Sequence, residues 1–264
     1  MKRAVLFILA GTLSLLAAFQ QRIVAQDTTS VQGTMNVQDT TKRTYKNNVH
    51  FNVTNRLIFG SKSIIFGYER VLNKRRSFTI NVGQTGFPTL NIINSDSIKA
   101  NTLRDEGGFH ISGDYRFYLA KENKYDAPRG IYIGPYFSYN YFNKEHLWTI
   151  KSTAGGSREV ESKTNMNIST LGIELGYQFV LWNRISLDMI LAGPGVAAYR
   201  LEAHLGTNLS EEDRTKFFEK LNEALTEKFP GYSVAVDEGE FKTKGSTNTT
   251  SLGYRYIIQL GFRF

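Results

Sequence analysis

Two side chains two residues apart are the clearest candidates for chemistry in this sequence. His110 and Ser112 are separated by one residue, so on a β-strand both project from the same face. A histidine in that position can deprotonate a neighbouring serine and make its hydroxyl a nucleophile. The acidic group that would orient the histidine would be Asp114 or Glu174, and nothing in the sequence selects between them. Because the chain has four histidines, the spacing alone is unremarkable, and we predict no catalytic residue.

A second group of candidate residues consists of charged side chains. They are predicted to face the interior of a closed ring of β-strands, which is described below. An unpaired buried charge is costly, so side chains of opposite sign in a narrow interior should pair. The predicted lumen charge network consists of Arg56, Glu69, Asp114, Arg116, Glu174, Asp188 and Arg255. Eight strands leave an interior that side chains can fill, which favours a plugged lumen over a pore.

The element that best shows how these residues are placed is the C-terminal stretch. From Leu252 to Phe264, one face of the predicted strand is wholly apolar and the other is mostly polar or small. An outer-membrane barrel uses both faces, because its strands turn apolar side chains to lipid and polar ones to the lumen. The ending also resembles the C-terminal assembly signal of bacterial outer-membrane barrels. The predicted assembly signal is Tyr256, Ile258, Leu260, Phe262 and Phe264.

Seven further alternating segments precede this one. The sequence therefore predicts an all-β fold, an eight-stranded antiparallel transmembrane β-barrel. The first strand is expected to begin at Val49 and to run to Phe59, with Arg56 on its inner face. Short turns are predicted at residues 73–77, 120–130 and 181–184, and long connections around 85–107, 143–166 and 202–250. Short periplasmic turns and long external loops are typical of such barrels.

The composition agrees with many strands and aromatic girdles. The chain of 264 residues has 23 Gly, 18 Phe and 14 Tyr, but only 5 Pro. It has no Cys, which excludes disulfides, thiolate metal sites and a cysteine nucleophile.

The N-terminal region has the features of an export signal. Lys2 and Arg3 precede an apolar run from Ala4 to Ala18, which predicts a signal peptide over residues 1–25. Residues 26–48 are polar with almost nothing to bury, so we predict a disordered periplasmic segment there. The remaining residues, 49–264, form the predicted outer-membrane barrel.

The last external loop contains one convincing amphipathic helix. Ser210 can cap its start, and Pro230 stops it. This surface-interaction helix carries an apolar stripe formed by Phe217, Phe218, Leu221 and Leu225. The stripe can lie on the lipid surface, cap the barrel mouth or meet a partner. The alternative is that it packs on the hairpin of its own loop.

Three strand motifs resemble a family of small uncharacterised outer-membrane barrels from Bacteroidota, which carries a domain of unknown function. The motifs are IFGYER at residues 65–70, DYRFY at 114–118 and PRGIYIGPY at 128–136. The resemblance covers about residues 48–200 and the last strand. It implies an eight-stranded barrel in a Gram-negative outer membrane, and it implies no reaction.

Three functions from different classes follow from these features. The first is a small outer-membrane barrel with a plugged lumen, a structural or surface-interaction protein that acts through its long external loops. The second is a lipid A-modifying outer-membrane enzyme that uses His110 and Ser112, whose spacing resembles that of a deacylase family of outer-membrane barrels. The third is a narrow channel for small solutes. We favour the first, and therefore predict no enzymatic activity, no cofactor and no metal.

The expected location is the cell outer membrane, reached by export with a cleaved signal peptide. The expected partners are outer-membrane lipid and lipopolysaccharide, the barrel assembly machinery, and a protein partner at the external loops. Nucleic acid is not an expected partner, because nothing beyond a formal net charge of +8 supports it.

Overall fold

Eight antiparallel strands form a closed barrel in a computed structural model of the protein, in which each strand pairs with the next and the first pairs with the last. The described residues are 45–86, 98–151, 157–205 and 246–264, with the isolated positions 211, 212, 215 and 219. The predicted fold class is confirmed. The strands are β1 (Asn47–Asn52), β2 (Ile64–Asn73), β3 (Arg76–Gln84), β4 (Ile98–Tyr118), β5 (Gly130–Lys151), β6 (Ser157–Leu181), β7 (Ile185–Leu205) and β8 (Ser246–Arg263), and a short helix, α1 (Val53–Phe59), follows β1.

Several predicted segments lie outside the described residues. They are the signal peptide at 1–25, the polar segment as far as residue 44, and the side chains of Phe217, Phe218, Leu221 and Leu225. In the part of the chain that the structure describes, no helix is both long and apolar enough to cross a bilayer.

The side chains on opposite faces of each strand differ in burial and in polarity. On β8, Gln259 is 1% exposed and Arg255 is 7% exposed, whereas the neighbouring Leu260 and Phe262 are about half exposed. Buried polar residues and exposed apolar residues are the reverse of the usual arrangement in a water-soluble protein. The predicted division of β8 into an apolar outer face and a polar inner face is confirmed.

The first strand is shorter than predicted, because the chain turns into α1 after Asn52. The Asn52 side chain accepts a hydrogen bond from the backbone N–H of Asn55 at 2.9 Å, so it caps the helix. Gly60, with φ at +83°, ends it. Alternating apolar residues made this segment look like a strand, but the cap and the terminal glycine favour a helix. The prediction that Arg56 lies on a strand is therefore wrong.

Helix α1 also takes over from β1 as the hydrogen-bond partner of β8. The ladder between β1 and β8 ends at the pair Asn52 and Gln259. At the residue of β8 just before Gln259, the backbone N–H of Ile258 donates to Thr54 Oγ1 at 2.8 Å. Because a buried backbone N–H requires an acceptor, this side chain attaches the helix to the wall where the ladder stops.

The strand ends differ from the prediction in two further ways. The strand β1 begins at Asn47, two residues before the predicted boundary, since the polar Asn48 faces the lumen instead of solvent. The strands β4 to β8 also continue into regions predicted as external loops, and the ladder between β5 and β6 is continuous to the pair Lys151 and Ser157. The sequence of these outer segments mixes polar and apolar residues on the same face, so alternation could not reveal them. Ladder hydrogen bonds join backbone groups whatever the side chains are.

The connections at 74–75, 119–129 and 182–184 lie together at the end of the barrel that contains both the first residue of β1 and the last residue of β8. In the turn between β6 and β7, Trp182 and Asn183 have positive φ of 48° and 64°. Such angles match the twist of a two-residue hairpin turn. In the connection between β4 and β5, the Asn123 side chain donates to and accepts from the Ile131 backbone at 2.7 and 2.8 Å.

Candidate functional site in the barrel lumen

Arg116 on β4 is the centre of a buried charge cluster in the lumen. Its fully buried guanidinium places Nε 2.6 Å from Asp114 Oδ1 and Nη2 2.9 Å from Asp188 Oδ2. Oxygens of Glu69 and Glu174 lie at 3.7 and 3.9 Å. One cation therefore faces four carboxyl groups, which come from β2, β4, β6 and β7.

Arg255 on β8 is the second cation of this lumen cluster and is held more loosely. Its Nη1 lies 3.3 Å from Glu174 Oε2, and its Nη2 lies 3.7 Å from Asp114 Oδ2. Within the described part of the chain, its guanidinium nitrogens make no hydrogen bond. The lumen cluster thus has four carboxyl groups and two guanidinium groups, so losing a guanidinium should be more harmful than losing a carboxyl group.

Neutral side chains surround Glu69 with hydrogen-bond donors. Its carboxylate accepts from Ser77 Oγ at 2.7 Å, from Gln178 Nε2 at 3.0 Å and from the Tyr118 hydroxyl at 3.1 Å. Sequence reasoning missed these three residues because none carries a charge. The only signal in the sequence was their place on the inward face of strands with alternating polar and apolar residues.

Two tyrosines on β5 reach the lumen cluster by crossing glycines on β6. Tyr132 is paired with Gly176, and Tyr136 is paired with Gly172. A Cβ atom at Gly176 would lie 2.4 Å from the Tyr132 ring, and one at Gly172 would lie 2.7 Å from the Tyr136 ring. Glycine therefore leaves the space that the rings occupy. The Tyr132 hydroxyl donates to Asp188 at 2.8 Å.

Arg56 is the one predicted member of the charge network that lies elsewhere. It is on α1, is exposed, and donates from Nη1 to the Ser61 carbonyl oxygen at 2.9 Å. The other six residues are brought together in the lumen cluster. Sequence reasoning also missed His50, whose Nε2 lies 3.5 Å from Glu69 Oε2. A single histidine on an inward face does not by itself indicate that it lies beside a carboxylate.

His110 and Ser112 are in contact in the lumen. His110 Nε2 lies 3.0 Å from Ser112 Oγ, and His110 Nδ1 lies 2.7 Å from Asn140 Oδ1. An enzyme would have needed Asp114 or Glu174 to orient the histidine, but the group that contacts Nδ1 is the Asn140 amide. Asn140 takes that position because it is the direct partner of His110 in the ladder between β4 and β5. The arrangement contains a base, a hydroxyl and an orienting amide, the groups that nucleophilic catalysis requires.

Toward the end of the barrel with the long connections, the filling of the lumen becomes apolar. Phe142, Met166 and Leu201 face inward, and each is at most 1% exposed. Phe59 of α1 packs on Phe142 with ring centroids 5.9 Å apart. From the level of Arg116 to that of Phe142, the lumen filling is thus mainly charged, then neutral polar, then apolar, and polar side chains such as Lys144 and Thr164 are buried beyond it.

The predicted assembly signal lies on the outer surface of β8 and at the chain end. Leu260, Phe262 and Phe264 are about half exposed, and Tyr256 is partly exposed. Its role in assembly stays a prediction.

The fold and the lumen together define a class, the small closed β-barrels with an ion-paired interior and an apolar outer surface. The chain belongs to the family of proteins of unknown function designated DUF3575, whose family model matches residues 31–216. This membership agrees with the resemblance suggested by the strand motifs, while an origin in Bacteroidota stays a prediction. No curated protein matches the chain in sequence.

Solved structures with a similar fold include three outer-membrane proteins. A major outer membrane protein from Thermus thermophilus is 12% identical, with a TM-score of 0.36 over 84% of this chain and 100% of that one. CarO from Acinetobacter baumannii is 9% identical, with a TM-score of 0.38 over 84% and 98%. CarO2 from Acinetobacter baumannii is 8% identical, with a TM-score of 0.37 over 83% and 98%.

Replacing Arg116 should destabilise the barrel more than any single change to its acidic partners. Arg116→Met leaves four buried carboxyl groups without their shared cation, and we expect a loss of about 3–5 kcal/mol in the free energy of unfolding. Glu174→Gln should cost less, because Arg116 keeps its close contacts with Asp114 and Asp188. Urea unfolding of the protein folded in lipid vesicles measures both values.

The control for this prediction is Arg56→Met, which changes an exposed arginine. It should alter the free energy of unfolding by no more than about 0.5 kcal/mol. Equal losses in Arg116→Met and Arg56→Met would contradict the central role of the lumen cluster.

Proposed function

We propose that this protein is an outer-membrane β-barrel with a sealed lumen, a structural or surface-interaction protein that acts at its external end. The observation that carries this proposal is the continuous filling of the lumen. Arg116, Ser112 and Phe142, which lie at three successive levels of the lumen, are 0%, 2% and 1% exposed. An eight-stranded barrel has little interior space beyond its own side chains. This filling argues against a solute channel.

The outer surface supports a location in a membrane. Large apolar side chains such as Phe66, Val82 and Leu171 are at least half exposed, which a water-soluble protein would normally avoid over a broad surface. The apolar face of β8 and the chain end runs from Leu252 to Phe264, and its length is about 40 Å at about 3.4 Å per residue. At a tilt of about 45° this corresponds to about 28 Å of height. An outer-membrane barrel has an apolar band about 25 Å tall, so the two agree.

The lengths of the connections support one orientation of the barrel in the outer membrane. At the end of the barrel where β1 begins and β8 ends, two of the three connections, 74–75 and 182–184, are tight turns, and such turns are periplasmic in outer-membrane barrels. The external end would then carry the connections at 53–63, 85–97, 152–156 and 206–245. We further propose outer-membrane lipid and lipopolysaccharide as partners of the wall, the assembly machinery as the partner of the terminal strand, and a protein partner at the external loops.

A sealed lumen predicts that the protein conducts no steady ion current. Purified full-length protein in planar bilayers should show no stable large conductance, because charged, polar and apolar layers close the path in turn. Arg116→Met should remain closed as long as it folds, since Phe142, Met166 and Leu201 are unchanged. A steady conductance on the nanosiemens scale in the wild-type protein would contradict the proposal.

Removing the predicted surface helix should separate folding from interaction. The ladder between β7 and β8 reaches the pair Glu202 and Ser246, so the described wall is complete without residues 210–230. We expect a variant lacking Ser210–Pro230 to remain a heat-modifiable barrel in the outer membrane and to lose binding to its partner. Phe218→Glu should reproduce much of this loss. Failure of the deletion variant to assemble would show that the helix is a structural cap.

A lipid A-modifying enzyme is the second candidate function, and the contacts of His110 with Ser112 and Asn140 favour it. Two observations oppose it. His110 and Ser112 are 5% and 2% exposed inside the lumen, whereas lipid lies outside the barrel. Asn81 also donates a hydrogen bond to Ser112 Oγ at 3.2 Å, which makes the serine part of the polar filling.

Lipid A mass spectra distinguish the two candidate functions. If the protein is not an enzyme, a deletion strain should produce the same lipid A whether it carries the wild-type protein or Ser112→Ala. Ser138→Ala is a matched control, because Ser138 is also buried and is the ladder partner of Ser112. A change in acylation that wild type and Ser138→Ala restore, but Ser112→Ala does not, would establish the enzyme instead.

A further inference from the structure

The outer wall has a sharp boundary between apolar and polar side chains on four neighbouring strands. Across β5, β6, β7 and β8, ladder partners form a row of apolar residues that all face outward, namely Phe137, Leu171, Val196 and Leu252. These four side chains are 48%, 64%, 56% and 76% exposed. We call this set the apolar row. It forms the outer edge of the exposed apolar surface on these strands.

The next two rows toward the external end are built differently. The first consists of Tyr139, Ser169, Ala198 and Thr250, and the second of Tyr141, Asn167, Arg200 and Asn248. Hydroxyl, amide and guanidinium groups therefore begin one row above the apolar row. In a barrel that spans the outer membrane, this is where the acyl chains end and the lipid headgroups begin.

An open depression of about 560 Å³, which we call the cavity, lies on this surface of the wall. Polar residues make up all of its lining except Ala198, and those that belong to the two rows above are Tyr139, Asn167, Ser169, Arg200, Asn248 and Thr250. Among the described residues that line it, none carries a carboxylate. Its volume lies within the range of small-molecule sites, about 300–1,000 Å³.

Two lining residues, Tyr139 and Arg200, are held in place by hydrogen bonds to neighbouring side chains. The Tyr139 hydroxyl donates to Asn167 Oδ1 at 2.9 Å, which orients the ring beside the amide. Arg200 donates from Nε to Glu202 Oε1 at 3.0 Å, and its Nη2 lies 2.8 Å from the same oxygen. The Arg200 side chain is still 63% exposed, so part of its guanidinium is accessible to a ligand.

We propose that this cavity binds the phosphorylated sugar headgroup of an outer-leaflet glycolipid of the lipid A class. The acyl chains of that lipid lie on the apolar row, and its sugars lie in the cavity directly above. Hydroxyl and amide groups match the hydroxyl and amide groups of an amino sugar, and Arg200 matches a phosphate. The position favours a sugar that carries acyl chains over a free soluble sugar, because the cavity adjoins the apolar row. This inference rests on the proposed outer-membrane location.

The test measures how well purified full-length protein in detergent binds diphosphoryl lipid A, by native mass spectrometry. Ala198→Trp introduces an indole into the cavity from an exposed position on the wall, so it should weaken binding by about tenfold or more without unfolding the barrel. Arg200→Gln should weaken the binding of diphosphoryl lipid A by about tenfold and the binding of monophosphoryl lipid A by less, since one charge-assisted contact is lost. Retained heat-modifiability on gels shows that each variant is folded.

The matched control is Gln84→Trp, which places the same bulky group on the outward face of β3, away from the cavity. It should bind lipid A like the wild-type protein. The inference is overturned if Ala198→Trp binds lipid A as well as wild type does, or if phosphatidylglycerol competes equally with lipid A. A sealed barrel that fails these tests would overturn only the glycolipid site. A conducting barrel that passes them would overturn only the sealed lumen.

Discussion

The burial of Arg116 among four carboxyl groups is the constraint on which the rest of the barrel depends. Moving an ion out of water costs several kcal/mol unless close partners of opposite charge compensate. The partners of Arg116 lie on β2, β4, β6 and β7, so they meet only when the ring of strands is closed. A slip of one residue in any of these strands would turn its charge toward the outer surface. The lumen cluster therefore links non-neighbouring strands and penalises incorrect registers.

The same constraint explains several features that look unrelated in the sequence. Gly172 and Gly176 leave space for Tyr136 and Tyr132, whose rings lie over the guanidinium groups of Arg255 and Arg116 at 5.0 and 4.5 Å. An aromatic ring stabilises a cation at this distance, particularly where water is excluded. The glycines, tyrosines and arginines thus form one packing unit. With the interior filled in this way, the surfaces that remain exposed are the wall and the connections between the strands.

The alternation of side chains was predictable because it depends only on local backbone geometry. Any residue on a β-strand faces opposite to its neighbours, so the inward positions of Glu69, Arg116 and Glu174 followed from counting along each segment. The pairing of charges was also predictable in outline, since a narrow lumen gives opposite charges little choice of partner. The identity of each partner was not predictable, because it depends on which strands meet and how their side chains are tilted.

Period-two alternation alone was enough to give the number of strands, the apolar outer face of β8 and the inward position of six charged residues. Contacts between distant segments set the remaining features. The segment with Arg56 becomes α1, and Thr54 then supplies an acceptor for β8 at the point where the β1 ladder ends. Asn140, and not an acid, contacts His110 because those two residues are partners across a ladder. The alignment of the apolar row across four strands depends likewise on registers between segments far apart in the chain, which no local pattern records.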